Sequence, residues 1–313
     1  MPHALDLLAE ARAAGDEAKF LAGGQSLLPM MKLRLAAPQV LIDLAGLDDL
    51  KGVRRDGDGG FSIGALTTYR ELQRAGAVAG AVPALADALA LLADPQVRAR
   101  GTVGGAVAHG DPAADLPPVL LALDAELTIA SPAGTRTALL DDFLQGVFTT
   151  DLAEDEIVTA ITIRAGGTRG SAYAKFPHPA SHLPLAGVAA VVTMEDGRVA
   201  RAEVAVTGIS SRPYRARDSE RAVTSRAPAP DLLSEPVLSE AVALVADGIT
   251  PLSDQHASGP YRVHLAQVLA RRAISSAIKR AQTGLDASGL DARGRDTRGL
   301  NTRGRDTHRA ERP

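Results

Sequence analysis

The chain has 313 residues, more than one ordinary domain of about 100–200 residues needs, and its 45% hydrophobic content supplies ample core. Thirty-four basic against 37 acidic residues, 3% aromatics and no Trp exclude the concentrated basic face and stacking platforms of a nucleic-acid binder. The absence of Cys rules out disulfides, thiolate catalysis, zinc–thiolate sites and any Cys-ligated iron–sulfur cluster held by this chain.

Residues 1–20 carry Asp6, Glu10, Asp16 and Glu17 rather than a signal peptide, and no run further on approaches the about 20 apolar residues of a membrane span. A soluble, cytoplasmic chain without a membrane span is expected. Residues 4–14 have helical spacing of apolar positions, and Lys19 to Ala22 reads as a strand running into Gly23-Gly24. Leu27 to Leu35 reads as a short irregular helix ended by Pro38, and Val40 to Leu44 as a second strand. Asp56 to Gly60 supplies the turn of a hairpin across 52–65. Thr67 or Thr68 caps a helix through Ala75, with Glu71 in capping-box position for Thr68, and Pro83 opens another through Ala93.

Further along, Pro117 to Leu123 is a short helix, Glu126 to Ala130 and Thr135 to Leu139 form a hairpin, Asp141 to Gln145 is a helical turn, and Ile157 to Ile163 alternates like a strand. Short strands mixed with helices in no simple βαβ rhythm indicate an α+β fold. Gly166 to Gly170 marks a boundary, followed by three long strands, Ser171–Phe176, Gly187–Met194 and Ala202–Ile209. Residues 212–234 read as a loose surface segment, and helices at 236–247 and 260–280 close the second domain. The expected division is 1–166 (subdomains about 1–50 and 51–166), 167–282, and a tail, 283–313. In that tail Gly289–Arg298 is nearly copied by Gly299–His308, and its low apolar content predicts disorder.

Two segments carry the chemistry. Leu21-Ala22-Gly23-Gly24-Gln25-Ser26 lies at a strand end, and Thr102-Val103-Gly104-Gly105-Ala106 follows Arg98 and Arg100. Paired glycines let backbone N–H groups converge on an anion, and Ser26 and Thr102 each add a hydroxyl. Facing each other, the two would clamp a diphosphate from both sides; taken singly, each is also a tight turn. Neither fits the P-loop or the Rossmann glycine pattern. Asp111 and Asp115 suit hydrogen bonds to sugar or ribityl hydroxyls, or Asp115 caps the following helix. Lys175 either reaches a cofactor between the domains or is an exposed strand lysine. His109, His178 and His182 show no metal-ligand spacing, and no nucleophile elbow is present. No residue is assigned a catalytic role, so a cofactor is the candidate for any reaction.

Ala22 to Arg34, Thr102 to Gly105, Gly110 to Pro118 and Lys175 to Ser181 together resemble the FAD-binding medium subunit of molybdenum hydroxylases, of the carbon monoxide dehydrogenase and xanthine dehydrogenase family, from about Ala4 to about residue 281. The resemblance implies a vanillyl-alcohol-oxidase (PCMH) type FAD-binding domain followed by a smaller α/β domain with a three-stranded antiparallel sheet. It implies that Ala22–Ser26 and Thr102–Ala106 line the FAD diphosphate, Asp115 binds the cofactor's hydroxyls, Lys175 lies near the flavin, and Leu21, Ile157 and Val158 flank it. It also implies a small 2Fe-2S subunit and a large molybdopterin subunit, as a dimer of heterotrimers, with electrons leaving FAD to an external acceptor such as quinone or NAD. A stand-alone flavin oxidase or dehydrogenase and a non-catalytic nucleotide-binding assembly protein are the alternatives. Three departures stand out. Relatives usually begin with about a dozen more residues, His182-Leu183 stands where many have Gly-Tyr, and Ala106 replaces a frequent polar residue.

Overall fold

A computed structural model describes residues 1–57, 59–164, 168–224 and 235–296. Helix α1 (Pro2–Ala13) buries Ala4, Leu5, Leu8 and Ala11, one face at helical spacing. Strand β1 (Ala18–Leu21), helix α2 (Leu27–Lys32) and strand β2 (Val40–Asp43) follow, and β1 pairs with β2 in parallel, Ala18 opposite Val40. Parallel strands need a crossover, and α2 supplies it, so the chain opens on one βαβ unit that the sequence reading did not anticipate. Leu5, Leu8, Ile42, Leu44 and Leu50 form the core of this lobe, with Leu66 and Ile157 reaching in from the next.

The second lobe begins with the hairpin β3 (Val53–Arg55) and β4 (Phe61–Gly64). The capping box forms as expected on α3 (Tyr69–Arg74): Glu71 N–H donates to Thr68 Oγ1 at 3.2 Å, and Thr68 N–H to Glu71 Oε2 at 2.8 Å. Then come α4 (Gly76–Ala81), α5 (Pro83–Leu91), α6 (Pro95–Arg98), α7 (Val103–His109) and α8 (Leu116–Ala122). The hairpin β5 (Glu126–Ser131) and β6 (Gly134–Leu139), helix α9 (Leu140–Phe143), the small hairpin β7 (Leu144–Gly146) and β8 (Thr149–Thr150), and β9 (Ile157–Ile163) complete the lobe. Its five-stranded antiparallel sheet has the order β3-β4-β9-β5-β6. Ile63, Leu127, Ile129 and Ile161 of the sheet pack against Leu85 and Leu89 of α5, Val107 of α7 and Leu120 of α8.

The third unit is a sheet of β10 (Thr168–Pro177), β11 (Pro184–Glu195), β12 (Arg198–Thr207) and the two-residue β13 (Tyr214–Arg215), all antiparallel. The three long strands match the expectation, and β13 is an added edge. Ala189 and Val191 of β11 face the second lobe's core, while Val188, Ala190 and Val192 face the opposite side. Being covered on both faces explains why β11 reads as an unbroken apolar run. Helices α10 (Arg217–Thr224), α11 (Glu235–Ala243) and α12 (Gly259–Asp296) lie on the outer side. No described helix is long and apolar enough to cross a membrane.

Two expectations change. Residues 212–224 are not a loose segment: β13 and α10 form there because Arg215, buried, bonds to Glu220, Asp124 and the Leu121 carbonyl at 3.1 Å. The rest of that segment, 225–234, lies outside the described residues. The tail's first part, 283–296, continues α12, because extending an established helix needs no new nucleus, even through the glycines at 284, 289 and 294. The disorder expected for 297–313, and the boundary glycines Gly166 and Gly167, also lie outside the described residues.

Arg215→Ala takes the buried guanidinium from Glu220 and Asp124, which keep only Arg217 and Arg201 as cationic partners, and is expected to cost about 3 kcal/mol in urea unfolding. Arg217→Ala removes an exposed partner of Asp141 and is expected to cost less than about 1 kcal/mol in the same measurement.

Candidate functional site

Strand β1 ends at Leu21 and hands the chain to Ala22–Ser26, directly before α2. Gly24 turns it at φ +74°, a conformation that favours glycine. Among the described residues, no protein acceptor meets the N–H of Gly23, Gly24, Gln25 or Ser26. Ser26 stands at the N-cap of α2 without spending its hydroxyl on a capping bond. Four successive unclaimed backbone donors beside a free hydroxyl make a concavity suited to an anion.

The second glycine segment is built differently. It is not a loop but the first turn of α7, with Thr102 as the N-cap: Thr102 Oγ1 accepts from Gly105 N–H at 3.1 Å. Val103 N–H donates to the Thr67 carbonyl at 3.1 Å and Gly104 N–H to the Ala65 carbonyl at 2.8 Å. The donors expected to face an anion from this side are therefore already engaged. What the segment contributes is closeness. A Cβ on Gly104 would overlap Ala65, and a Cβ on Gly23 would overlap the Arg100 carbonyl and stand 2.9 Å from Gly101 Cα. One glycine segment donates, and the other forms a wall without side chains.

Between them lies a cleft of about 860 Å³, within the range of about 300–1,000 Å³ usual for small-molecule and cofactor sites. Of the residues singled out in the sequence, Leu21, Ala22, Gly23, Gly24, Gln25, Ser26, Thr102, Gly104, Gly105, Ala106 and Val158 line it. Val103 and Ile157 do not: both are buried in the cores that flank the cleft. Asp115 and Lys175 are not on its wall either. The sequence reading missed Tyr69, Met30, His109, Phe148 and the pair Arg12–Glu154, which bridges α1 to the loop before β9 at 3.1 Å. Aromatic residues in a chain so poor in them were the signal available.

Asp115 and Lys175 meet each other. Lys175 Nζ donates to Asp115 Oδ1 at 3.0 Å, to Oδ2 at 2.9 Å and to the His182 carbonyl at 2.8 Å; Tyr173 O–H donates to Asp115 Oδ1 at 2.7 Å. Both charged side chains are nearly sealed from solvent, 4% and 2% exposed. Neither open alternative for these residues holds: Asp115 makes no side-chain cap on α8, and Lys175 is not an exposed strand lysine. Burial is the largest influence on the Asp115 carboxyl and pushes it above the usual range, against the opposing pull of Lys175 and Tyr173. Burial likewise pushes up the phenol of Tyr69, and the charges of Asp115 and Asp111 add to it. His178 Nε2 lies 3.2 Å from His256 Nδ1, but no group of three or more metal-ligating side chains exists among the described residues.

The family profile described as the FAD binding domain in molybdopterin dehydrogenase matches residues 1–164, and the CO dehydrogenase flavoprotein C-terminal domain matches residues 171–277. The chain is 36% identical over 278 residues to the carbon monoxide dehydrogenase medium chain of Afipia carboxidovorans, covering 88% of this chain and 94% of that one. It is 30% identical over 281 residues to the xanthine dehydrogenase FAD-binding subunit of Escherichia coli O157:H7, covering 89% and 93%. Among solved structures, it superposes with a TM-score of 0.83 at 35% identity on carbon monoxide dehydrogenase from Hydrogenophaga pseudoflava, covering 89% of this chain and 94% of that one.

Lys175→Met leaves the Asp115 carboxylate buried and unpaired. It is expected to destabilise the fold by about 3–5 kcal/mol in thermal or urea unfolding, and the double variant Lys175→Met/Asp115→Leu is expected to recover most of that loss.

Proposed function

The chain belongs to the family of FAD-binding medium subunits of molybdenum hydroxylase complexes, and on that premise we propose that it is the flavin electron-transfer subunit of a heterotrimer. In this reading a small subunit with two 2Fe-2S clusters passes electrons to the FAD held here. A large molybdopterin subunit oxidises the substrate, and an external acceptor, quinone or NAD, collects the electrons. The complex is a cytoplasmic dimer of heterotrimers. The chain divides into a cofactor domain, 1–166, a second domain, 167–282, and the tail, 283–313.

The observation that carries the cofactor site is the run of acceptor-free N–H groups at Gly23–Ser26 on the wall of a dinucleotide-sized cleft. When bound, FAD supplies the redox chemistry; the chain holds, orients and shields it. Gly23 to Ser26 donate to the diphosphate, and the Ser26 and Thr102 hydroxyls add to them. Leu21, Ala22, Gly104, Gly105, Ala106 and Val158 pack against the cofactor without competing polar groups. Val103 and Ile157 hold that wall from behind. Asp115 and Lys175 form a compensated pair one layer back, from which they orient the cofactor's hydroxyl and ring end. With no Cys in the chain, the iron–sulfur clusters of such a complex belong to another polypeptide, which supports the reading.

Purification of the tagged full chain from its native host tests this. Flavin absorption overlaid by iron–sulfur absorption, with one small and one large companion chain, is the expected result; flavin on a lone polypeptide that turns over a substrate would overturn it. Gly23→Ala drives a Cβ into the Arg100 carbonyl and is expected to lower retained flavin per protein by about tenfold or more, equivalent to about 1.4 kcal/mol. Gly46→Ala, which meets open space, is expected to leave the flavin-to-protein absorbance ratio unchanged.

A further inference from the structure

Strand β10 lies at the edge of its sheet, with β11 on one side only. Helix α5 packs on the face that carries Tyr173, and α12 on the face that carries Ala172 and Ala174. Between the two helices at this edge is a slot of about 360 Å³, separate from the cofactor cleft. Ala172, Tyr173 and Ala174 form its floor, Ala90 and Leu91 of α5 one wall, and Arg272 and Ser276 of α12 the other.

In an antiparallel ladder a residue turns its N–H and C=O to the same side, and successive residues alternate. On β10 the residues turned away from β11 are Ser171, Tyr173 and Lys175. The Ser171 carbonyl accepts from Arg280 Nη1 at 2.6 Å, and Tyr173 N–H donates to Asp87 Oδ2 at 3.1 Å. Asp87 and Arg280, themselves paired at 2.6 Å, thus stand in for a neighbouring strand at one end of the edge. Beyond them the Tyr173 carbonyl and both main-chain groups of Lys175 meet no partner among the described residues. Lys175 is half-buried as a residue while its side chain is only 2% exposed, so what it shows to solvent is main chain. Pro177, which has no N–H, ends the usable edge.

The two walls differ in chemistry. Ala90 and Leu91 are exposed and apolar. Arg272, Ser276 and Arg280 recur every four residues and so share one face of α12, each about 6 Å from the next along the axis. Arg272 is exposed, and neither it nor Ser276 has a hydrogen bond or ion pair among the described residues. A strand laid against β10 would point alternate side chains at the two walls.

We propose that this slot takes an extended acidic segment of a second polypeptide, added as a strand beside β10 with a carboxylate on Arg272 and small apolar side chains against Ala90 and Leu91. Main-chain bonds to Tyr173 and Lys175 hold the segment, and the Arg272 fork selects its charge. A second copy of this chain is disfavoured there, because edge-to-edge pairing would bring two sets of Arg272 and Arg280 to one seam. The inference is independent of what the cleft holds.

The probe is a labelled, end-blocked peptide of alternating Val and Glu, followed by fluorescence anisotropy with the full-length chain; an alternating Val and Lys peptide is the control. The acidic peptide is expected to bind and the basic one not. Arg272→Glu is expected to weaken the acidic peptide by about tenfold or more. Melting temperature and flavin content are expected to hold in that variant, because Arg272 is exposed, unpaired and off the cofactor cleft. Peptides N-methylated on every Val, or on every Glu, test the strand itself. One is expected to lose about tenfold and the other to hold, since only one edge of the added strand faces β10. Equal affinity of the two methylated peptides would overturn the inference in favour of plain charge attraction, and an Arg272→Glu chain that binds as wild type would overturn it too. No binding of the acidic peptide would also overturn it and leave Arg272 as a charge guarding a bare edge. A wild-type chain that sediments as a dimer and is split by the peptide would overturn it by giving the slot to a second copy.

Discussion

The backbone of Gly23 approaches the Arg100 carbonyl so closely that no side chain fits between them, and the cleft takes its form from that contact. Gly23 belongs to a crossover between parallel strands in the first lobe; Arg100 precedes a helix in the second. Two lobes with separate cores meet here through main chain alone, so the walls near the contact are lined by peptide groups rather than by side chains. That is what an anionic diphosphate needs: donors fixed by the fold, with no rotamer to order on binding.

The two glycine segments look alike in sequence and do different work. At Gly23–Ser26 the N–H groups are free and the wall donates. At Val103–Gly105 the same kind of residues spend their N–H groups on Thr67, Ala65 and the Thr102 cap. The asymmetry follows from what each segment leads into. The first must cross between parallel strands and stays open, whereas the second starts a helix docked on the Ala65 backbone, and docking consumes the donors. A clamp with donors on both sides would have required α7 to sit away from the sheet, at the cost of the core contacts Val103 and Val107 make.

Much of this was legible in the sequence because the signals were local. The capping box at Thr68 and Glu71, the hairpins, the three long strands and both glycine segments each follow from a few neighbouring residues. What was not legible depended on distant partners. Arg215 reads as a charge in a polar stretch, yet it is buried because Leu121, Asp124 and Glu220 converge on it. Lys175 reads as a strand lysine until Asp115, 60 residues away, closes on it. The glycines of α7 argue against a helix by propensity, and tertiary packing overrides that preference. Phe148 lies in a short apolar stretch that looks like any core segment, and only the left-handed backbone turns it outward.

The sealed Asp115–Lys175 pair links these features. Removing two charges from water is costly, and an apolar pair of equal volume would generally serve stability as well. Its geometry shows what the charges add. Asp115 precedes α8 in the cofactor lobe, Lys175 is on a strand of the second domain, and the same ammonium group holds the carbonyl of His182, whose φ of +59° is strained. One cation thus fixes the domain junction and the turn after β10 together. Its charge also matters for the cleft. Tyr69 is on the cleft wall and feels Asp115, so an uncompensated carboxylate there would set a negative potential behind a surface whose free donors suit an anion. With Lys175 in contact through both carboxylate oxygens, that potential is offset at its source, and less of it reaches the donor cradle.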